Sequence, residues 1–464
     1  MKIENKIIVI VFVLIALLIG WNHEPWVDEA QSWIIARDAS VKEIVWDISR
    51  YEGTFPLWFL TLKLFIVFGF EYKFLYVIST IISTIGLIVF LKKVEAPRYV
   101  KILLPFTYYV LFQYTIVARS YCYLFLAFSL YAITYKSRFE KPLKYIMSLV
   151  FFSLISMHGM VISCVLGVIF FIEILYKKEL KKYLISFIVL AIITIIEIII
   201  LFPRNDLYMN VSAFYSIKTI IYSICNIFIG NGTIFHKIYN IITIILMISL
   251  FINNLLINNK SVPIVATCVF LFMSIIRFCD HHSGILYYLI VFGTIINYEE
   301  IKNKNKNINK IFITIMLLYC IYSIQVGIND YLYPYSGAKD MALYIKEMNY
   351  ENEEIYSFGY KSVALEPYFE DNIYTNREET IYKWNINNTD FYNYCNFENI
   401  DKNQFKKVPK YIILEHDKND YKLKKITQLI DQTEKYEVEY KTTGKVFFKN
   451  SYSENEGYIL YKLK

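Results

Sequence analysis

The chain has 464 residues, of which 56% are hydrophobic, and it carries a formal net charge of +7. Apolar runs of about 15 to 20 residues recur through the first two-thirds of the chain, which excludes a soluble globular protein. The positive charge comes from lysines between these runs, a pattern typical of membrane topology rather than of nucleic-acid binding. The seven cysteines are scattered without metal-ligand spacing, and we interpret them as small buried hydrophobic residues.

The apolar runs predict eleven transmembrane spans. Lys2 and Lys6 precede the first run, and no small-residue cleavage site comes before Trp21. We therefore interpret this run as a retained anchor with its N-terminus inside. The predicted spans lie near residues 7–19, 74–91, 102–118, 120–135, 145–157, 159–176, 183–202, 238–256, 262–277, 284–297 and 310–327.

One further apolar segment, residues 55–70, is ambiguous. It is long enough for a thin span, and Pro56 suits the first turn of a helix. Lys63 in its middle instead favours a helix that lies on the membrane surface. If the segment does not cross, most lysines and arginines of the connecting loops face the cytoplasm; if it crosses, this bias reverses. The positive-inside rule therefore predicts that the segment lies on the membrane.

With this topology, residues 22–73 form one long outer loop. The sequence "SVKE" at Ser40–Glu43 predicts a capping box at the start of a helix in this loop. The apolar face of that helix contains Val41, Ile44, Val45 and Ile48, which recur at helical spacing.

From about Ile328 the composition becomes charged and rich in tyrosine. We predict a small α/β domain at 328–464 on the outer face, following a transmembrane domain at 1–327. Its predicted helices are "GAKDMALYIKEM" and "YKLKKITQLIDQTEKY", and its predicted strands are "EIYSFGY", "KYIILEH", "KVFFK" and "GYILYKL". The predicted fold class is an α-helical polytopic membrane protein of about eleven transmembrane helices, with interfacial helices in the first outer loop and a C-terminal α/β extracytoplasmic domain.

Polar side chains gather at the predicted outer ends of the spans. Each alone has an ordinary structural interpretation, as a solvated loop acid, an arginine at headgroup level or a helix-end histidine. Their placement on one side predicts a common cleft. The adjacent residues His281 and His282 are poorly spaced for two ligands on one helix face, so we predict no metal site from them. The gathered residues are Asp28, Glu29, Arg119, Ser120, His158, Arg204, Asp206, Arg277, Asp280, His281 and His282.

The stretch "NHEPWVDEAQSWIIARD" at 22–38 supplies the acids of this set. Trp26, Ala30, Trp33 and Ile34 recur at helical spacing, which predicts an amphipathic helix at the membrane surface with Asp28 near its start. A carboxylate there is suited to take a proton from an acceptor hydroxyl. Arginine and histidine across a cleft are suited to bind the phosphate of a lipid-linked leaving group. The pattern favours glycosyl transfer from a polyprenyl-phosphate donor.

Three segments carry a family resemblance: "HEPWVDEAQSWIIARD", "EGTFPLWFLTLKLF" and "YTIVARSYCYLFLAFSLYAI". They resemble the GT-C superfamily of integral-membrane glycosyltransferases, in the branch of the protein O-mannosyltransferases and the aminoarabinose-transferase-like bacterial proteins. The motifs cover roughly residues 1–180, and the architecture covers the whole chain. In the second segment this sequence has Thr54, Phe55 and Pro56, where the family usually has a histidine or lysine before the proline.

The resemblance implies roles for individual residues. Asp28 matches the catalytic base of the family, and Glu29 is its acidic neighbour. The second outer loop offers Arg119 and no nearby acid, so we assign Arg119 to binding of the donor phosphate rather than to a metal. His158, Arg277 and His281 are further candidates for phosphate binding. This assignment does not require a divalent metal, but a divalent metal remains open as a cofactor.

The implied reaction is an inverting, single-step transfer of a hexosyl or pentosyl group. The donor is a polyprenyl-phosphate-linked sugar, and the acceptor is a hydroxyl or amine on a cell-envelope glycan, lipid or protein. The expected partners also include membrane lipid but no nucleic acid. The expected location is a bacterial plasma membrane, with multiple spans, a cytoplasmic N-terminus and an external C-terminal domain.

Three other functions remain open from the sequence. A polysaccharide polymerase or ligase that uses a lipid-diphosphate-linked glycan also needs outer arginines and many spans. A transporter or flippase is compatible with Glu173 and Glu197, which lie within apolar runs, although the two halves show no matched repeats. A non-enzymatic scaffold would use its outer domain to bind a partner.

Overall fold

The computed structural model describes residues 2–207, 217–225, 234–275, 278–358, 360–377, 380–383, 409–416, 421–432, 434–448, 451–454 and 456–464, and it is 73% helical. The α-helices are α1 (Ile3–Asn22), α2 (Val27–Asp38), α3 (Val41–Glu43), α4 (Ser49–Glu52), α5 (Leu57–Val67), α6 (Leu75–Lys93), α7 (Arg98–Leu103), α8 (Leu124–Tyr135), α9 (Pro142–Ser153), α10 (Met157–Lys177), α11 (Leu180–Leu201), α12 (Ile217–Cys225), α13 (Ile234–Leu256), α14 (Ser261–Ile275), α15 (Ser283–Ile296), α16 (Tyr298–Lys304), α17 (Ile308–Leu332), α18 (Ala338–Glu347) and α19 (Tyr421–Gln432). π-Helical turns cover Ile44–Ile48 and Tyr109–Ile116, and 3-10 turns cover Tyr72–Phe74, Leu104–Phe106, Ser120–Tyr123, Asp280–His282 and Tyr360–Tyr368.

Six helices of the described residues are long and apolar enough to cross a membrane, which indicates a membrane-embedded helical protein. These six helices support a helical membrane protein but do not establish the predicted number of eleven spans. Pro105, which has no backbone N–H, lies within the predicted span 102–118, and this segment forms α7, a 3-10 turn and a π-helix. Helix α9 has only 12 residues, well below the roughly 20 needed to cross. The six candidates are α1, Tyr72–Lys93, α10, α11, Lys237–Leu256 and α17.

Helix α2 is buried along most of its length rather than lying amphipathically on a membrane surface. The sequence correctly predicts a helix with Asp28 near its start, but nine of its 12 residues are buried. It packs between α5 on one side and the 3-10 segment Tyr360–Tyr368 on the other. The expectation of a half-exposed amphipathic helix is wrong here because a distant part of the chain covers its predicted solvent face.

Lys63 of α5 has a specific structural role. Its Nζ donates to the carbonyl oxygens of Ala36, at 3.0 Å, and Ala39, at 2.7 Å. The last carbonyls of a helix have no intrahelical partner and carry partial negative charge. The amine therefore caps α2 and ties α5 to it. Helix α5 has 11 residues, too few to cross a bilayer core about 30 Å thick.

The capping box predicted at Ser40–Glu43 is confirmed. The Ser40 hydroxyl accepts from the backbone N–H of Glu43 at 3.2 Å, and the Glu43 carboxylate accepts from the backbone N–H of Ser40 at 2.7 Å. This reciprocal pair satisfies two N–H groups at the start of α3.

The C-terminal region (residues 328–464) contains a mixed sheet in the strand order β1-β2-β6-β3 and a separate β4-β5 hairpin. The four predicted strands and two predicted helices are confirmed in type. Strand β3 was missed because residues up to Tyr436 were assigned to the preceding helix, which ends at Gln432. The strands are β1 (Ile355–Phe358), β2 (Tyr411–His416), β3 (Tyr436–Lys441), β4 (Val446–Phe448), β5 (Ser451–Glu454) and β6 (Gly457–Leu463).

Candidate functional site

Asp28 and Arg119 form an ion pair, with Arg119 Nη1 2.5 Å from Asp28 Oδ2. The two side chains are 25% and 23% exposed, respectively, so a ligand can reach both. Asp28 is the second residue of α2, and Arg119 lies in extended backbone between the π-helix Tyr109–Ile116 and the following 3-10 turn. Burial by itself lowers the pKa of Arg119, but the Asp28 carboxylate and the other groups around the guanidinium together more than offset this effect and raise it. The arginine therefore stays charged.

Glu29 occupies a different environment from its neighbour Asp28. It is fully buried, and its Oε1 accepts a 2.6 Å hydrogen bond from the backbone N–H of Ala118. Its Oε2 accepts from the backbone N–H of Trp26 at 3.2 Å. Glu29 thus does not face the exposed side of the ion pair. It fixes the backbone immediately before Arg119.

A buried histidine links Glu29 to the last long helix. His23 Nε2 lies 3.1 Å from Glu29 Oε2, and His23 Nδ1 lies 3.1 Å from both carboxylate oxygens of Asp330 in α17. Burial lowers the pKa of His23, but the two carboxylates outweigh it and raise the pKa to about 10. The imidazolium can donate from both ring nitrogens. Sequence reasoning missed this triad, although His23 stands in the same acidic stretch as Glu29.

His281 lies directly beside the ion pair. Arg119 Nη1 is 3.2 Å from His281 Nε2; because a guanidinium only donates, this nitrogen accepts and the ring proton lies on Nδ1. The Tyr114 hydroxyl, on the π-helix, donates to the carbonyl oxygen of His281 at 2.6 Å. A Cβ atom on Gly284 would lie 2.4 Å from that hydroxyl oxygen, so glycine permits this close approach.

Three histidines meet at this point. The ring of His282 lies 4.3 Å from the ring of His281 and 4.3 Å from that of His158, measured between centroids. All three are buried. His158 reaches the cluster from the first turn of α10, where the Ser156 hydroxyl caps the helix by accepting from the Gly159 N–H at 3.2 Å.

The structure therefore brings four of the predicted site residues together: Asp28, Arg119, His158 and His281. Arg277 lies outside the described residues. Arg204 and Asp206 belong to a separate group against the first loop: Arg204 pairs with Asp47 at 2.8 Å, and Asp206 accepts from the Tyr51 hydroxyl at 2.9 Å.

Cys279, His281 and His282 offer ligand atoms that lie within 4.8 Å of one another. The backbone N–H of Cys279 donates to His282 Nδ1 at 3.1 Å, and Arg119 donates to His281 Nε2. A neutral imidazole has one nitrogen lone pair, so a metal ion would have to displace both hydrogen bonds.

Residues of the C-terminal region complete the surroundings of α2. The Tyr360 hydroxyl lies 3.5 Å from Asp28 Oδ1. The buried carboxylate of Glu456 accepts from the backbone N–H of Val27 at 3.2 Å and from the Ser336 hydroxyl at 2.6 Å. Tyr360 and Glu456 lie more than 300 positions from α2 in the sequence, so no local pattern could have identified them.

An apolar cavity of about 350 Å³ lies between α12, α13, α14 and α15. On α12, the Ser223 hydroxyl is 3.4 Å from the carbonyl oxygen of Asp280, which places one wall of the cavity beside the His281 turn. The lining residues include Ile221, Ile224, Met247, Phe251, Phe270 and Leu286.

No family model, curated protein or solved structure matches this chain.

Proposed function

We propose that the chain is a membrane-embedded inverting glycosyltransferase that uses a polyprenyl-phosphate-linked sugar. The observation that carries the proposal is the partly exposed Asp28–Arg119 ion pair, with His281 hydrogen-bonded to the same guanidinium. A carboxylate beside a fixed cation offers a base and an anion-binding group within one small cleft. The proposal places this cleft on the outer face of a bacterial plasma membrane.

In the proposed reaction, Asp28 takes the proton of the acceptor hydroxyl. The acceptor oxygen forms a bond to the anomeric carbon from the face opposite the phosphate. The bond between that carbon and the phosphate oxygen breaks, and its electron pair leaves with polyprenyl phosphate. Arg119 and His281 stabilise the negative charge that develops on the leaving phosphate.

The donor phosphate would compete with Asp28 for Arg119. A guanidinium has five N–H donors, and the described side-chain hydrogen bonds of Arg119 involve only Nη1. Phosphate can therefore bind Arg119 through its other donors while drawing it away from Asp28 Oδ2. Donor binding would thus prepare the carboxylate to act as a base. The apolar cavity beside the Asp280–His282 turn offers a wall along which the lipid of the donor can pack.

The test is complementation of a strain that lacks the protein, with its surface glycans and lipid-linked sugars profiled by mass spectrometry. We expect Asp28→Asn to lower the transferred sugar at least about a hundredfold, as expected of a general base. Asp38→Asn is the matched control, because Asp38 lies in the same helix and pairs with Arg37 instead. Full rescue by Asp28→Asn at equal membrane abundance would exclude the proposed base.

A transport function receives less support from the intramembrane acids. Glu173 forms a bidentate pair with Arg138, at 2.9 and 3.0 Å, and this pairing gives the acid a structural role. Glu197 is buried in α11 and accepts from the Ser153 hydroxyl at 2.6 Å. A Glu197→Gln variant that abolishes the sugar phenotype while Asp28→Asn retains it would favour transport.

A further inference from the structure

The two oxygens of Asp28 face different parts of the protein. Oδ2 is held by Arg119, and Oδ1 faces the Tyr360 hydroxyl at 3.5 Å. That separation exceeds the usual 2.5 to 3.0 Å of an O–H···O hydrogen bond, which is ~2.7 Å at its most frequent. The phenol and the carboxylate are therefore neighbours without being a tight pair.

The separation of these two oxygens suits a third oxygen between them. An oxygen atom about 2.8 Å from each would form an isosceles triangle on a base of 3.5 Å, with an angle of about 77° at that oxygen. A hydroxyl group at that position can donate its proton to Asp28 and accept a hydrogen bond from Tyr360 at the same time. This is the position required of an acceptor whose proton Asp28 removes.

Tyr360 is held in place from both sides. Its neighbour Lys361 pairs with Glu415 of β2 at 3.0 Å, which anchors the start of the 3-10 segment to the sheet. Its ring lies 4.9 Å from the ring of Tyr382. The backbone of Tyr382 accepts from Gln31, one turn after Asp28 in α2, at 2.6 Å. Burial and the neighbouring Asp28 raise the pKa of Tyr360, so its hydroxyl remains a donor.

We propose that Tyr360 binds the acceptor of the transfer reaction, and that the acceptor is an alcohol rather than an ammonium group. This inference rests on the proposed function of Asp28. An alcohol oxygen has lone pairs that accept from Tyr360, whereas an ammonium group has none. The C-terminal region thereby supplies one side of the acceptor site.

The test compares Tyr360→Phe with Tyr374→Phe in the full-length protein. Both substitutions remove one phenolic oxygen; the Tyr374 hydroxyl donates to the Ser362 carbonyl at 2.8 Å and does not face Asp28. Two quantities are measured: the sugar transferred in complemented cells, per amount of membrane protein, and the affinity of purified protein in lipid nanodiscs for a polyprenyl monophosphate. We expect Tyr360→Phe to lower transfer about tenfold with unchanged affinity for the polyprenyl monophosphate, and Tyr374→Phe to change neither.

Three results would overturn the inference. Transfer by Tyr360→Phe equal to that by Tyr374→Phe would remove the phenol from the acceptor site. Loss of polyprenyl monophosphate binding in Tyr360→Phe would assign Tyr360 to the binding site of the sugar donor. A sugar linked through nitrogen in the product, determined by mass spectrometry, would exclude the alcohol. The Asp28→Asn variant separates the two proposals. If Asp28→Asn is inactive and Tyr360→Phe is fully active, only the acceptor assignment of Tyr360 fails. If Asp28→Asn is active, the proposed function fails.

Discussion

The Glu29 carboxylate accepts a 2.6 Å hydrogen bond from the backbone N–H of Ala118, and the adjacent residues Asp28 and Arg119 form the ion pair. Two consecutive contacts thus join α2 to the segment that follows the π-helix. A single ion pair leaves its partners free to rotate about each other. The second contact fixes the direction from which the guanidinium approaches Asp28, which is the kind of preorganisation that electrostatic catalysis requires.

Replacement of Arg119 by lysine keeps the charge and tests the need for a guanidinium. A single ammonium cannot reproduce the planar fork that matches phosphate oxygens. We expect Arg119→Lys to weaken binding of a polyprenyl monophosphate about tenfold, or roughly 1.4 kcal/mol, in a nanodisc binding assay. Arg37→Lys, at the far end of α2, is the control. Equal affinity of wild type and Arg119→Lys would argue against phosphate binding by this residue.

The buried His23 triad predicts a pH-dependent stability. The pKa of His23 is about 10, above the ordinary value of about 6.5, so its stabilisation is complete below pH 6.5 and disappears as the pH rises through 10. His23→Gln removes this dependence and leaves Glu29 and Asp330 without a cation between them. We expect it to lower the free energy of unfolding by about 3 to 5 kcal/mol at pH 6, with a smaller difference at pH 10.5.

The free energy of unfolding of the detergent-solubilised protein is measured between pH 6 and pH 10.5. A constant difference between wild type and His23→Gln across that range would show that the ring is not protonated in the folded protein.

Glu456, in the same region, also predicts a pH-dependent stability. It is a buried carboxyl group that takes up a proton when the protein folds. Burial raises its pKa to about 8, although the Ser336 hydrogen bond partly offsets this effect. The folded state therefore binds a proton more tightly than the unfolded state, and stability falls as the pH rises from about 4.5 to 8. Glu456→Gln cannot ionise. We expect it to cost about 1 kcal/mol at pH 6 and to be at least as stable as wild type at pH 9.

Thermal unfolding at both pH values checks this prediction, with Glu437→Gln on the exposed face of β3 as the control. If Glu456→Gln is equally destabilising at pH 6 and pH 9, the Glu456 carboxyl does not titrate in this range.

The cap that Lys63 provides can be tested separately from the chemistry. Lys63→Met keeps most of the side-chain length but removes the donors to the carbonyls of Ala36 and Ala39. We expect a loss of about 1 to 2 kcal/mol in the free energy of unfolding and reduced sugar transfer through displacement of α2. Lys73→Met, which removes an exposed pair with Glu71 and a contact of the amine with the neighbouring Phe74 ring, should have no effect. Wild-type stability of Lys63→Met would assign that lysine to the membrane surface instead.

The sequence predicted α2, the position of Asp28 near its start and the elements of the C-terminal region. These features depend on spacing and capping within a few residues. The burial of α2 could not be predicted, because its cover begins at Tyr360, and side chains meet across such separations only after folding. Hydropathy alone cannot give the number of spans, because it does not separate a segment that crosses lipid from one that packs inside the protein, such as the wholly buried helix α15.

Some residues of the candidate site were predicted from the sequence, and others were not. Asp28 and Arg119 were chosen individually, and the structure places them in contact. His23 was not chosen because its neighbours in the sequence reveal only one of its two carboxylate partners. The other, Asp330, lies 307 positions away, in a helix that hydropathy alone describes as an ordinary span.

The 307 positions between His23 and Asp330 set an order of events during synthesis of the chain. A ribosome that adds about 5 to 20 residues per second needs roughly 15 to 60 seconds to pass from His23 to Asp330. Throughout this interval His23 has Glu29 as a partner but lacks its second carboxylate partner. The triad is therefore completed only when α17 joins the bundle, so a chain interrupted before that point carries the motif residues without the completed triad.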